Sequence, residues 1–170
     1  IFDCDYRMYG LNQERIWVNE RGTVERDAAG RPCRLLATLR VVTHRKEREE
    51  RLRYEAQHDL LTGLYNRLRL AEALDSITAY NARYGLSGAY FAVGVDRLSI
   101  INDAFGHETG DAVLMEFAER LETMPALGDV IGRVSGDCFG VVAASCPETE
   151  VDAIADRILD RLRSMPIETP

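Results

Sequence analysis

The stretch GRVSGDCFGVV, Gly132 to Val142, organises the second half of the chain. Apolar residues precede and follow a short polar step, and the four residues from Ser135 to Cys138 have the length and glycine content of a tight hairpin turn. Such a turn lifts its side chains to the rim of a sheet, where they can meet a ligand. The stretch therefore predicts a hairpin that presents the Asp137 carboxylate beside the Cys138 thiol.

Helical and extended patterns alternate around this hairpin. Before it come a helix that should end at Gly85, the buried-type strand GAYFAVGVD, and the helix DAVLMEFAERLETM, which should end at Pro125. After it comes a last helix with Thr149 as its N-cap. The positions predicted to face the core are Leu68, Ala71, Leu74 and Ile77 in the first helix, Val113, Leu114, Phe117 and Leu121 in the second, and Ile154, Ile158 and Leu162 in the last. This order indicates an α/β fold with helices packed on a sheet.

The first 42 residues have the pattern of an antiparallel sheet. In CRLLATLRVV apolar and polar residues alternate, as a half-buried strand requires, and DAAGRP predicts the turn before it. Residues 43–57 lack glycine and proline and predict a helix. Its apolar stripe is sparse, which leaves two interpretations open: a solvated connecting helix, or a dimeric coiled coil that transmits a signal.

Charge and composition narrow the functional classes. No apolar run approaches the ~18 residues needed to cross a bilayer, and the cysteines show neither disulfide nor metal-ligand spacing, so we expect a cytoplasmic protein with reduced thiols. Residues 1–53 carry 12 basic and 9 acidic side chains, whereas residues 54–170 carry 9 basic and 19 acidic. The acidic main body argues against nucleic-acid binding. It also lacks lysine, since Lys46 is the only one in the chain.

Four stretches resemble known signalling domains in order and spacing. HDLLTGLYNR, INDAFGHETGD and GRVSGDCFG resemble the GGDEF domains of diguanylate cyclases, and VERDAAGRP with LLATLRVVTHRK resembles the end of a PAS sensor domain and its exit helix. The resemblance implies a PAS portion at 1–42, a connecting helix at 43–57 and a GGDEF domain at 58–170 that is incomplete at its C-terminus. The implied fold is a cyclase-palm-like sheet flanked by helices.

The resemblance also implies a chemistry, and this sequence departs from it. Family enzymes join two GTP molecules into cyclic di-GMP across a dimer, with two divalent ions. Carried over by position, the hairpin's metal ligand is Asp137, but a second metal aspartate falls at Gly94, the catalytic carboxylate at Cys138 and a phosphate-contacting lysine at Ser99. A thiol is a poor ligand for Mg²⁺. We therefore expect no catalytic residue and no cyclase activity, with Asp137 as the remaining candidate metal ligand.

The positions that recognise guanine in the family are intact here as Asn102 and Asp111. A structural interpretation stays open beside the binding one: Asp111 as the N-cap of a helix beginning near Ala112, and Asn102 as the cap of a turn before Phe105.

Two other sequence features of the family have counterparts in this chain. Asp59 and Arg133 match a pair that ties the opening turn to the hairpin strand, and we predict a salt bridge between them. An Arg-x-x-Asp motif that binds the cyclic dinucleotide is reduced to Asp129, because its arginine position is Ala126. Without that bidentate donor, product binding is not expected.

Three functions remain. The first is a bacterial regulatory module, in which a degenerate GGDEF domain binds GTP as an effector, with Mg²⁺, and relays a PAS signal to an output domain such as a cyclic di-GMP phosphodiesterase. The second is an active diguanylate cyclase, and the third is a scaffold that dimerises without binding nucleotide. We expect a homodimer. The start at Ile1 and the end at Pro170 suggest a piece of a longer protein.

Overall fold

The computed structural model describes residues 1–124 and 130–163, and the chain divides into two compact units between Tyr54 and Glu55. Both units are antiparallel sheets with helices, so the predicted mixed α/β class is confirmed. The predicted helix end at Pro125 and the motif remnant at Ala126 and Asp129 lie outside the described residues. Within the described ranges, every helix is too short or too polar to span a membrane.

The first unit is a three-stranded antiparallel sheet in the order β1-β2-β3. Its strands are β1 Phe2–Tyr9, β2 Arg15–Arg26 and β3 Pro32–Val41. The predicted turn between β2 and β3 is present: the Asp27 carboxylate accepts hydrogen bonds from two backbone N–H groups of the turn, and Gly30 adopts a φ of +78°.

The expectation that β3 is half buried is wrong. Every residue of β3 is exposed, including the leucines and the valine that the alternating pattern assigned to a core face. On that face the exposed fraction is 58% at Leu35, 56% at Leu39 and 60% at Val41, and Leu36, which the pattern did not assign to it, is 61% exposed. The alternation correctly indicates a strand, but no described element of this unit covers the apolar side of β3.

Helix α1, Thr43–Gln57, follows β3 directly, and none of its residues is buried. Its first turn is fastened to β2 through Trp17, whose backbone N–H donates to the Thr43 hydroxyl oxygen at 2.9 Å. The Lys46 ammonium lies 5.4 Å from the centre of the Trp17 ring and 2.7 Å from the Asp5 carboxylate. Hydrogen bonds from Lys46 and Asn19 lower the pKa of Asp5 to about 2. Strands β1 and β2 therefore hold the start of α1 by polar contacts.

The second unit is built on the antiparallel sheet β4-β6-β5, with β6 in the centre. Helices cover both faces of this sheet. In chain order the elements are α2 Arg67–Tyr84, β4 Ala89–Gly94, α3 Leu98–Phe105, α4 His107–Glu122, β5 Val130–Ser135, β6 Cys138–Ala143, a 3₁₀ turn Glu148–Glu150 and α5 Val151–Arg163.

The main core lies between the sheet and helices α4 and α5. Phe139 and Val141 of β6 are fully buried, and the Phe139 ring lies 5.0 Å from that of Phe117. All four predicted core positions of α4 are buried, as are Ile154 and Ile158 of α5, while Leu162 packs on the core partly exposed. Thr149 is not the N-cap of α5, because it lies inside the preceding 3₁₀ turn.

Helix α2 covers the opposite face, where Gly132 and Gly140 leave room for Leu70. The helix ends at Gly85 as predicted, with φ +66°. Its predicted inward face is right only in part: Leu74 and Ile77 are half buried, but Leu68 and Ala71 are exposed. The buried residues of the helix are Leu70, Ala73 and Asn81. The two glycines decide which stripe of α2 can approach, and helical spacing alone does not contain that information.

Candidate functional site

The hairpin forms as predicted and lies beside the end of β4. Ser135 pairs with Cys138 across the two-residue loop Gly136–Asp137, and Cys138 pairs on its other side with Gly94. The Asp137 backbone oxygen accepts a hydrogen bond from the Val95 N–H at 2.9 Å. The rim of the sheet therefore brings Gly94, Asp137 and Cys138 together.

The predicted salt bridge between Asp59 and Arg133 is present, with 3.1 Å between the Arg133 Nη1 and the Asp59 Oδ1. The same guanidinium donates from Nη2 to the Gly136 carbonyl oxygen at 2.6 Å. Partial burial opposes ionisation of Asp59, but hydrogen bonds from Thr62 and Arg133 outweigh it and hold the pKa of Asp59 below its ordinary value. The opening turn thus supports the hairpin loop through one arginine.

The rim offers little to a metal ion. Asp137 is exposed, and Cys138 is half buried with a thiol in place of a carboxylate. Strand β4 ends at Gly94, so the exposed Asp96 lies in the following turn instead of on the sheet face. Among the described residues there is no group of three or more His, Cys, Asp or Glu side chains that could hold a metal. Two magnesium ions need hard oxygen ligands, and these residues do not fit them.

The rim has room for a side chain at position 94, although Gly94 supplies no ligand to a metal. A Cβ built on Gly94 would meet only the Asp137 backbone oxygen, at 3.9 Å, an ordinary van der Waals distance. Gly94 therefore lacks a metal-binding carboxylate, although the backbone geometry still accommodates a side chain there.

The two candidate guanine-binding residues lie on α3 and α4, which are joined by Gly106 with φ +88°. Helix α4 begins at His107, so Asp111 is inside the helix, exposed, and its interpretation as an N-cap is wrong. Asn102 lies inside α3, and its Oδ1 is buried without a hydrogen-bond partner among the described residues. Its interpretation as a turn cap is therefore wrong as well.

Gly110 is the residue that sequence reasoning missed in this region. A Cβ at Gly110 would collide with the Asn102 Oδ1, so the absence of a side chain lets the amide lie directly against α4, one residue before Asp111. The fixed glycines of INDAFGHETGD were a signal for such a close approach, but the contacting atom could not be named without the packing of α3 on α4.

Comparison with known proteins places these features in one family. The model of the family described as "Diguanylate cyclase, GGDEF domain" matches residues 56–170. The chain is 29% identical over 152 residues to diguanylate cyclase DgcP of Escherichia coli, covering 89% of this chain and 45% of that protein. It is 37% identical over 131 residues to an uncharacterized signaling protein of Caulobacter vibrioides, covering 75% of this chain and 16% of that protein. The chain thus spans less than half the length of these relatives.

Solved structures give the same result. A crystal structure of a sensory box/GGDEF family protein from Caulobacter crescentus superposes with a TM-score of 0.60 at 33% identity, over 66% of this chain and 72% of the other.

Proposed function

The chain belongs to the GGDEF family of diguanylate cyclases, a family of cyclic di-GMP signalling, and we propose that its residues 58–170 act there as a regulatory module that binds a guanine nucleotide without converting it. The proposal is supported by a contrast within one unit: Asn102 keeps the residue type that the resemblance assigns to guanine recognition, whereas Gly94 and Cys138 replace the carboxylates that it assigns to the metal region.

The metal region supports loss of catalysis. Each charge–charge contact to a metal or triphosphate is worth ~2–4 kcal/mol of transition-state stabilisation. Three such contacts are absent by position, at Gly94, Ser99 and Cys138. Even with strong non-additivity, their combined loss removes many powers of ten from the rate. A nucleophilic role for Cys138 has no support from its described hydrogen bond, which runs over 3.9 Å from Sγ to the Phe139 carbonyl oxygen, because that oxygen is not a general base.

The base region supports retained binding. The Asn102 Oδ1 is buried without a hydrogen-bond partner among the described residues, and a buried polar atom without a partner costs free energy. Neither Asn102 nor Asp111 caps a helix, and both match the family's guanine-recognition positions, although the Asn102 amide also packs against Gly110.

The proposal extends to the rest of the chain. Residues 1–42 act as the end of a PAS sensor domain, and α1 relays its state toward an output domain, for which we propose a cyclic di-GMP phosphodiesterase. The polar attachment of α1 to Trp17 and Asp5 supports a relay role, since a shift of these strands would move the first turn of the helix. A homodimer in the cytoplasm belongs to the same proposal.

Two measurements on the full chain test the proposed function. Incubation with GTP and Mg²⁺, followed by chromatography, should give no cyclic di-GMP, and accumulation of that product would establish an active cyclase instead. Titration calorimetry with GTP should give saturable heat. Absence of heat at millimolar GTP would contradict the regulatory module and leave the scaffold function.

A further inference from the structure

Asn66 lies where three elements of the second unit meet: the end of α1, the start of α2 and strand β5. Ala56 and Gln57, the last two residues of α1, belong to this unit. We propose that the Asn66 side chain is the joint that couples the end of α1 to α2 and to the hairpin strand. This inference rests on the relay role proposed for α1 and names the residue that performs it.

On the α2 side, Asn66 is the N-cap of the helix. Its backbone is extended, with φ −77° and ψ 171°, and its Oδ1 accepts a hydrogen bond from the Arg69 N–H at 3.0 Å. The first N–H groups of a helix have no partner within the helix, and this bond satisfies one of them. The Asn66 side chain therefore stabilises the first turn of α2.

On the α1 side, the same residue caps the end of the preceding helix. The Asn66 Nδ2 donates to the Ala56 carbonyl oxygen at 2.9 Å, and the Asn66 backbone N–H donates to the Gln57 carbonyl oxygen at 2.9 Å. The last four carbonyl groups of a helix lack partners within it, so Asn66 satisfies two of them. Because no residue of α1 is buried, these hydrogen bonds take the place of apolar packing at this helix end.

The two side-chain bonds depend on each other because they belong to one amide. Oδ1 and Nδ2 are fixed in a single planar group, so the end of α1 cannot turn away while the amide keeps its orientation toward α2. A side chain held at both ends has already lost its rotamer freedom, and release at one end returns that freedom and weakens the other bond. A change at the end of α1 is therefore felt as a weaker cap on α2.

The preceding residue extends the joint to the hairpin. The Tyr65 N–H donates to the Ile131 carbonyl oxygen at 3.3 Å, and the Tyr65 carbonyl oxygen accepts from the Arg133 N–H at 2.8 Å. The Arg133 side chain in turn donates to the carbonyl oxygen of Gly136 in the hairpin loop. A displacement of residue 66 is thus one peptide unit away from the strand that carries the loop.

Hydrogen exchange of two backbone amides, followed by NMR on the full chain without nucleotide, tests the joint. The N–H of residue 66 reports the α1 side, and the Arg69 N–H reports the α2 side. Asn66→Asp keeps the acceptor for Arg69 but has no donor for the Ala56 carbonyl. We expect protection of the residue 66 N–H to fall about three- to tenfold. Protection of the Arg69 N–H should change by less than about twofold, because aspartate and asparagine cap helices equally well.

A matched control and a second variant complete the test. Asn12→Asp, at an exposed asparagine between β1 and β2, should change neither amide. Ala56→Gly weakens the end of α1 without touching Asn66, and in the parent chain it should lower protection of the Arg69 N–H by at least about twofold. In the Asn66→Asp background the same substitution should leave the Arg69 N–H unchanged, since the coupling has been removed.

Three results would overturn the inference. Unchanged protection of residue 66 in Asn66→Asp would make Asn66 an N-cap of α2 and nothing more. An Arg69 N–H that does not respond to Ala56→Gly, or that responds equally in both backgrounds, would show that coupling does not pass through the amide. If circular dichroism shows that Asn66→Asp does not fold, the response to Ala56→Gly in the parent chain decides alone. Because no nucleotide is present, absence of GTP binding would contradict the proposed function without changing any of these results.

Discussion

At the scale of single residues, Arg133 connects the opening turn of the second unit to its hairpin loop. One guanidinium joins the Asp59 carboxylate of the opening turn to the Gly136 carbonyl of the hairpin loop, and only 14% of the arginine side chain is exposed. Its Nε is buried without a partner among the described residues, so the pair is not fully satisfied even when intact. Removing one partner would leave a mostly buried cation with a single anchoring bond.

We therefore expect Asp59→Asn to destabilise the second unit by about 1–2 kcal/mol. The value falls below that of a fully buried pair because 26% of the Asp59 side chain is exposed and solvent screens the charge. Chemical denaturation followed by circular dichroism measures the change. Asp75→Asn, an exposed carboxylate on α2, is the matched control and should change stability by less than about 0.5 kcal/mol. Equal stabilities for the two variants would show that the pair contributes nothing.

The pH dependence of the same pair has a definite sign. Because the pKa of Asp59 in the folded protein lies below its ordinary value of 3.8, its contribution is fully present above that value and is lost as the pH falls through the lower, folded pKa. The difference in unfolding free energy between the parent and Asp59→Asn should be constant from about pH 5 to 8 and should shrink below about pH 4. A difference that grows on acidification would contradict this assignment.

Sequence reasoning succeeded unevenly at this scale. The Asp59–Arg133 bridge could be predicted because both residues lie in recognisable motifs. The fit of Asn102 against Gly110 could not, because it depends on how closely two helices approach. The N-cap assigned to Asp111 failed for a local reason: α4 begins at His107, after a glycine with positive φ, five residues earlier than the apolar pattern indicated.

At the scale of elements, two glycines fix how α2 lies on the sheet. A Cβ on Gly132 would come within 2.7 Å of the Tyr65 backbone oxygen and 3.1 Å of the Leu70 Cβ. Backbone and the base of a side chain cannot move aside cheaply, so the strand and the helix require a hydrogen at this position.

Gly132→Ala should therefore destabilise the second unit by about 1–3 kcal/mol through overpacking. Gly136→Ala is the control, because a Cβ there meets no atom within 4 Å and the residue does not need a positive φ. Thermal denaturation of the two variants gives the comparison. If Gly136→Ala lowered the melting temperature as much as Gly132→Ala, close packing of α2 would not be the cause.

The pairing of β4 with β6 allows a gain-of-function test. Because the backbone at Gly94 accommodates a side chain and Cys138 lies opposite it, the double variant Gly94→Asp with Cys138→Glu should supply hard oxygen ligands at the rim. We expect GTP binding to this variant to become at least about tenfold stronger in Mg²⁺ than in EDTA, measured by calorimetry. Gly136→Asp adds a carboxylate at the loop without that pairing and should show no such dependence. Identical affinities in Mg²⁺ and EDTA for the double variant would mean that position 94 is not the missing ligand.

Periodicity predicted the types and the order of the elements. It predicted only in part which face of each helix or strand is buried. Helix α4 was oriented correctly, whereas in α2 the buried residues Leu70 and Ala73 were not among the predicted core positions. Leu70 packs against the sheet glycines Gly132 and Gly140, which helical spacing does not reveal. The alternation in β3 predicted the strand correctly. It could not predict burial, because burial also depends on what covers the strand.

For the molecule as a whole, Trp17 is a built-in reporter. It is the only tryptophan in the chain, and its ring contacts Arg7 and Lys46 while its backbone holds the start of α1. If α1 relays a change of state, the surroundings of this ring must change with it.

We expect GTP binding to change the Trp17 emission, excited at a wavelength that guanine does not absorb, along the same saturation curve that calorimetry gives. The physical reason is that a shift in the first turn of α1 alters the distance between the Lys46 ammonium and the ring. Asp111→Asn should abolish the change at the same ligand concentration. Saturable heat with constant emission would show that binding occurs without a relay.

The exposed outer strand has a practical consequence for anyone handling this chain. Among the described residues β3 is an edge strand of its sheet, its leucines project on both sides, and its backbone edge can template another extended segment. Concentrated preparations should therefore form cross-β aggregates that begin at residues 35–41. The substitution Leu36→Lys places a charge on this strand and should keep concentrated preparations of the protein monodisperse.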